Sequence, residues 1–407
     1  MVRVCYRDRC RGILVGGMVG DALGAPWEGE SSSSIKREVP NGPFDFFDHR
    51  KLTDIKLAAE LTGIPLGPST IGEFTDDTEC MMALTDSLIQ AKGISTLVTA
   101  LSTCLWWCST PHMGGYSSWT WKKLELIHEG SDISELEKIH GDEGPSWANG
   151  AAMRIAPLGA AYRKLIDENP DLLRDRVRTA VRFTHSHPEA FDAALMITCC
   201  VSWCLKVENV KNHSKTELIE LLLSFSNTEE MKTRLLAIQD KLQQTKDLTI
   251  EEIKDHSTIF SDLDKEFIQS ICTTDKWFQI RAIDAVSYVL FIFLKYTGLG
   301  CFHDDSVGEY CLVRIISLGG DCDTLACMLG SILGSLFGYN WIPSRWKDKL
   351  LNHSLKGFSN ALELGDKLSE LDLTEPADEN KNEIKILIDN LKEEIKKKEQ
   401  PVRHSLH

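Results

Sequence analysis

The sequence predicts an all-α fold, and three observations carry that prediction. Apolar residues recur at three- and four-residue spacing through most of the chain, the period of one helix face. Alternating strand patterns bounded by hairpin turns are hard to find. Two short acidic motifs, Thr75-Asp76-Asp77-Thr78 and Gly319-Gly320-Asp321-Cys322-Asp323-Thr324, each lead directly into an apolar, helix-like run.

The first segment is rich in glycine, with Gly16, Gly17, Gly20 and Gly24 leading to Pro26 and Glu28. Small residues let helices or backbone approach closely, and packing alone accounts for them. Residues 29–73 form a long excursion, punctuated by Ser31 to Ser34, Pro40-Asn41-Gly42-Pro43 and Pro65-Leu66-Gly67-Pro68. Loops of this length inside a domain are usually functional. This one lies between two acidic stations, which leaves a lid over a pocket and a passive surface loop as the two readings.

Met81, Leu84, Leu88 and Ile89 mark the helix after the first motif. Similar stripes cover 151–165, 190–205, 216–225, 231–243, 282–295 and 325–337. Ala285 to Leu294 reads as a buried core helix, because no segment approaches about 18 uninterrupted apolar residues. No internal repeat occurs, and no change of composition marks a boundary before about residue 370. Past it, Ile384, Leu387, Ile388, Leu391 and Ile395 form a narrow stripe among lysines and glutamates. Its mixed charges favour packing on the body or a partner over a membrane surface. The expected organisation is one domain over 1–370 and a charged tail over 371–407.

Of the 407 residues 43% are hydrophobic, enough to bury a substantial core. The net charge of −15, from 45 basic and 60 acidic residues, disfavours affinity built on phosphate neutralisation, so no nucleic-acid partner is expected. The N-terminal segment lacks a signal-peptide h-region and cleavage site. With no membrane span, a cytoplasmic location is expected, with the nucleus open. The thirteen cysteines contain no C-x-x-C pair. Cys199, Cys200 and Cys204 sit in a helical pattern and read as buried thiols, which fits a reducing compartment.

Crowded carboxylates repel one another and raise each other's pKa unless a cation lies between them. Hard divalent cations with oxygen ligands resolve the conflict, and two such motifs can hold two of them. Helix capping by a threonine or aspartate explains either motif alone. Ser146-Trp147-Ala148-Asn149-Gly150-Ala151-Ala152-Met153-Arg154 is a small-residue loop entering a helix, which can offer backbone N–H groups to a phosphate. Thr184-His185-Ser186-His187 has no third soft ligand at zinc spacing.

These stations, in this order from about Arg11 to Leu336, resemble the ADP-ribosylglycohydrolase family, nearest to its DraG-like and ADP-ribosyl-serine hydrolase branches. Jellyfish J-type crystallins are similar to that family. The resemblance implies a compact orthogonal helical bundle and a metal-dependent hydrolase that frees ADP-ribose from an acceptor side chain or small molecule. It implies Thr75, Asp76 and Asp77 on one Mg²⁺ (or Mn²⁺), with Asp321, Asp323 and Thr324 holding the second or bridging the pair. Glu28 and Asp77 would be catalytic. Gly115, Tyr116 and Ser117 match the loop that reaches the diphosphate, while Ser146, Trp147, Asn149, Gly150 and His185 would line the ADP-ribose pocket. ADP-ribose or an ADP-ribosylated protein is then the expected partner, and a monomer the expected state. The crystallins supply the alternative, a catalytically silent structural or ADP-ribose-binding protein. Two departures bear on affinity and acceptor choice. Trp119 and serines stand where relatives carry more glycine, and no aromatic ring accompanies His140 and Gly141 ahead of Ser146.

Overall fold

Helix α1 (Tyr6–Gly24) and helix α16 (Cys322–Phe337) lie antiparallel at the centre of the protein, closer than side chains allow. Glycines at four-residue spacing make the seam. A Cβ on Gly16 would fall 2.3 Å from the Gly330 carbonyl oxygen, and one on Gly20 would fall 2.0 Å from that of Ala326. Gly12 meets Gly334 and Gly338, and Gly24 meets Cys322. Both helices are buried along nearly their whole length.

The computed structural model describes residues 4–47, 71–109, 115–132, 136, 138–139, 144–207, 214–272, 278–297, 306–352, 356–374 and 381–401. Between α1 and α16 the described helices are α2 (Ser32–Glu38), α3 (Asp76–Ala91), α4 (Thr96–Ser109), α5 (Ser118–His128), α6 (Ala156–Ala161), α7 (Leu165–Glu168) and α8 (Pro170–Val181). They continue with α9 (Pro188–Lys206), α10 (Lys215–Phe225), α11 (Glu229–Gln244), α12 (Ile250–Ile253), α13 (Asp262–Ile271), α14 (Ala282–Tyr296) and α15 (Val307–Ser317). After α16 come α17 (Ser344–Lys347), α18 (Phe358–Leu368) and α19 (Lys381–Lys396). The fold is all-α: among the described residues there is no strand, only three isolated bridges.

Most apolar stripes became helices within a few residues of their expected ends. The stripe over 151–165 did not. It is divided into a 3₁₀ turn (Asn149–Ala151), α6 and α7. Pro157, in the first turn of α6, lacks the N–H that a continuing helix needs, so it starts a new helix.

Helix α9 is long and apolar enough to cross a membrane by length and composition, but most of it is buried inside the fold. It also carries buried Asp192, which accepts the backbone N–H groups of Asn227 and Thr228. Helix α14, with the Ala285 to Leu294 run, is buried throughout. The terminal helix α19 packs on α4, with Leu391 and Ile395 buried. His128 Nε2 lies 2.9 Å from the carbonyl oxygen of Lys398, just past that helix.

Candidate metal centre

The glycine seam sets Asp21 of α1 beside the start of α16. Asp21 is fully buried, and it anchors a third helix. Its Oδ1 accepts the Thr75 N–H and hydroxyl, each at 3.0 Å. Its Oδ2 accepts the Thr78 N–H at 3.0 Å and hydroxyl at 2.5 Å. These bonds satisfy donors that the N-terminus of α3 would otherwise leave open. Thr75 is the N-cap of α3, its Oγ1 accepting the Asp77 N–H at 3.3 Å. Asp76 and Asp77 follow in the first turn, both buried. The motif therefore caps its helix and presents carboxylates as well, so capping and ligation are not exclusive.

Glu28 reaches the centre through backbone pairing. Gly29 donates to the Gly320 carbonyl and Gly320 donates to that of Glu30, both at 2.9 Å. Gly319 makes this contact at φ +80°, where a Cβ would fall 2.6 Å from the Glu30 carbonyl oxygen. Carboxylate oxygens of Glu28, Asp321 and Asp323 then lie within 4.8 Å of one another. Asp321 is the N-cap residue of α16, while Asp323 and Thr324 follow in its first turn, all three buried.

A further segment holds Asp321 from the side. Residues 147–149 run against 280–282: Asn149 donates its N–H to the Ile280 carbonyl, and Ala282 donates to that of Trp147. The Asn149 amide Nδ2 donates to Asp321 Oδ2 at 2.5 Å, and Gln279 Oε1 accepts the Asp321 N–H at 3.0 Å. Arg281 fixes this register from behind, donating Nε–H to Glu189 Oε2 of α9 at 2.7 Å.

Gly115, at φ +96°, lies against Asp76, and a Cβ there would fall 2.0 Å from Asp76 Oδ1. Tyr116 is buried with its hydroxyl on Glu79 Oε1 at 2.8 Å. Ser117 caps α5 by accepting the Thr120 N–H. Trp119 stands in the first turn of that helix, half exposed. Ser146 accepts the Ala148 N–H at 3.4 Å, and Trp147 is half-buried. Gly150 and His185 meet each other: a Cβ on the glycine would fall 2.9 Å from His185 Cε1. His187 is drawn away as the N-cap of α9. His140 and Gly141 lie outside the described residues.

The electrostatics demand a counter-charge. Burial, then the charge of Asp323, pushes Asp21 up to about 7. Asp323 first, then burial and Asp21, push Glu28 up to about 8. Asp76, Asp77 and Asp321 are driven well above the usual carboxylate range by burial and next by Asp323. Asp77 Oδ1 and Asp323 Oδ1 are buried without a hydrogen-bond partner, a costly arrangement for a carboxylate. A donor set of carboxylate and hydroxyl oxygens, two of its atoms left open, fits a hard divalent cation and not zinc in a sulfur–nitrogen site. Burial first, and then Arg154 and Lys123, push the His185 ring down, so it stays neutral. Its Nδ1 lies 2.9 Å from Thr184 Oγ1, which also accepts from Arg154.

Asp21 and Gln279 are the residues that motif reading undervalued. Asp21 stood in a glycine-rich stretch that packing already explained, and Gln279 belongs to no pattern at all.

The sequence profile of the ADP-ribosylglycohydrolase family matches residues 3–378. The human protein named ADP-ribosylhydrolase ARH3 is 23% identical over 354 residues, spanning 84% of this chain and 88% of the relative. The Rhodospirillum rubrum protein named ADP-ribosyl-[dinitrogen reductase] glycohydrolase is 26% identical over 343 residues, spanning 84% and 90%. A solved structure described as an ADP-ribosylglycohydrolase-related protein complex has the same fold, with a TM-score of 0.58 at 21% identity, covering 90% of this chain and 99% of that one. The chain belongs to the ADP-ribosylglycohydrolase family, as a glycosidase acting on ADP-ribose linkages.

Proposed function

We propose that this protein hydrolyses the glycosidic bond between ADP-ribose and an acceptor, using two divalent cations, Mg²⁺ or Mn²⁺, held by the acidic cluster. The observation that carries the reading is the pair of orphaned oxygens, Asp77 Oδ1 and Asp323 Oδ1, inside a ring of carboxylates from three chain segments. Thr75, Asp76 and Asp77 would hold one ion, and Asp321, Asp323 and Thr324 the second or a bridge. Bound there, the ions supply orientation of the ribose diol and polarisation of a water.

The chain's own residues prepare the rest. Glu28 is exposed, yet its carboxyl faces the cluster and stays protonated up to about pH 8. A proton held there can pass to the departing acceptor atom, general acid catalysis at the mouth of the site. With the Asp323 charge offset by a bound cation, the Glu28 carboxyl would titrate closer to neutrality. Asn149 keeps the Asp321 carboxylate from rotating away, while Gln279 holds the Asp321 backbone N–H. The neutral His185 ring, packed on Gly150, would line the ADP-ribose site without adding charge. The 29–73 excursion, which follows Glu28 and is paired to Gly320 at its start, would act as a lid; its residues 48–70 lie outside the described residues. A single catalytic domain over 1–370 working in the cytoplasm completes the reading.

Release of free ADP-ribose from serine-, arginine- and O-acetyl-linked substrates, with and without Mg²⁺, tests this directly. Mg²⁺-dependent release from at least one linkage is expected. Tight ADP-ribose binding with no release from any of them would overturn it.

A further inference from the structure

Lys356 lies outside every motif above, yet its ammonium is buried against the wall of the centre. Nζ pairs with Glu79 Oε2 at 2.9 Å, and the two side chains are 4% and 1% exposed. The other oxygen of that carboxylate, Oε1, is the one that accepts the Tyr116 hydroxyl. The Trp106 ring lies near the ammonium, its centroid 5.8 Å from Nζ.

Glu79 stands in the first turn of α3, two positions after Asp77. Tyr116 follows Gly115, whose backbone presses on Asp76. One carboxylate thus ties together three segments remote in sequence: the ligand-bearing helix, the 115–117 loop and the turn that opens α18. Buried ion pairs are poor stabilisers, since apolar groups of the same shape often do as well, and fixing registry is their best-attested use.

We propose that Lys356 is a positioning residue of the metal centre. By holding Glu79, and through it Tyr116, it fixes the Gly115–Ser117 loop against Asp76 and so sets where the Asp76 carboxylate stands. Lys356 touches neither the cations nor the substrate. The inference rests on the metal-dependent reading above.

The test is a double-mutant cycle in the full chain with Mn²⁺ alone as probe, its binding followed by electron paramagnetic resonance. Lys356→Met cuts one limb of the tie and Tyr116→Phe cuts the other. Each single variant is expected to weaken Mn²⁺ binding about tenfold, and the double variant scarcely more, because both act through Glu79. A folded Lys356→Met protein with parental affinity would overturn the proposal, as would single effects that multiply in the double variant. Should Lys356→Met fail to fold by circular dichroism, Tyr116→Phe decides, and parental affinity there overturns it. A parent protein that binds no Mn²⁺ would instead sink the metal-dependent reading itself.

Discussion

Asp21 receives the backbone N–H of Thr75 on both of its oxygens, at 3.0 and 3.1 Å, across 54 positions of sequence. That contact joins the two helices on which the centre depends, and it sits where a reader of motifs would see only glycine packing. Replacing Asp21 with alanine strands the amide and hydroxyl donors of Thr75 and Thr78. A loss of about 3 kcal/mol in urea unfolding is expected. Asp21→Asn retains an acceptor oxygen and should lose less stability, while Mn²⁺ affinity still falls because Thr75 shifts. Equal stability of the alanine variant and the parent would contradict the anchoring role.

Gly20 faces the Ala326 carbonyl with no room for a methyl group. Backbone cannot swing aside as a side chain can, so Gly20→Ala must part α1 from α16. The expected cost is about 3 kcal/mol, the upper range for overpacking. Urea midpoints check it, and Gly130→Ala gives the contrasting case, strain at φ +87° with no atom within 4 Å of the added Cβ, expected to cost less.

Asp76→Ala and Asp323→Ala should act in opposite senses with and without metal. Each removes a buried charge from the cluster, so the metal-free variant should melt no lower than the parent. The stabilisation by Mg²⁺ should vanish, a difference of about 2.7 kcal/mol at a concentration one hundred times the parent Kd. Thermal melts with and without Mg²⁺ read both effects. Undiminished Mg²⁺ stabilisation in both variants would remove the basis for a binuclear centre.

The pH dependence follows from the raised carboxyls. Asp21 ordinarily titrates near 3.8 and here near 7, and Glu28 moves from 4.5 to about 8. A carboxyl raised on folding favours the native state while it stays protonated, below its unfolded value. That stability is lost as pH rises through the folded value. The metal-free protein should therefore lose stability between about pH 4 and 8 from these groups, and Mg²⁺ should restore progressively more of it over that span. Melting curves with chelator and with Mg²⁺ across this range test the sign. In Asp323→Asn the slope should flatten, because Asp323 is the leading charge acting on Glu28.

The helices and the two acidic motifs were legible because their signals are local. Thr75 before Asp76 and Asp77 reads as a helix start, and the stripe through Met81, Leu84 and Leu88 confirms the period. What could not be read depends on contacts between distant positions. Nothing near Asn149 announces that its amide meets Asp321, and nothing near Lys356 points to Glu79. Gln279 adopts φ +49° and turns its amide onto Asp321, an arrangement imposed by packing and not by propensity. Pro157 was visible in the sequence, yet the apolar stripe around it masked the break that it makes. Tyr116 and Ser117 show the same limit from the other side, since their hydroxyls are engaged by Glu79 and Thr120.

The seam between α1 and α16 also orders events during synthesis. The helix bearing Asp21 leaves the ribosome early, but the surface it must bury, from Cys322 to Phe337, is made only when most of the chain has emerged. Until then Asp21, Glu28, Asp76 and Asp77 lack the carboxylates of Asp321 and Asp323, so the cluster is incomplete. Contacts this far apart in sequence form slowly, because loop closure must precede any gain from them. A cation bound at this cluster would thus arrive late in the life of the molecule, and its capture would report that both ends of the fold have met.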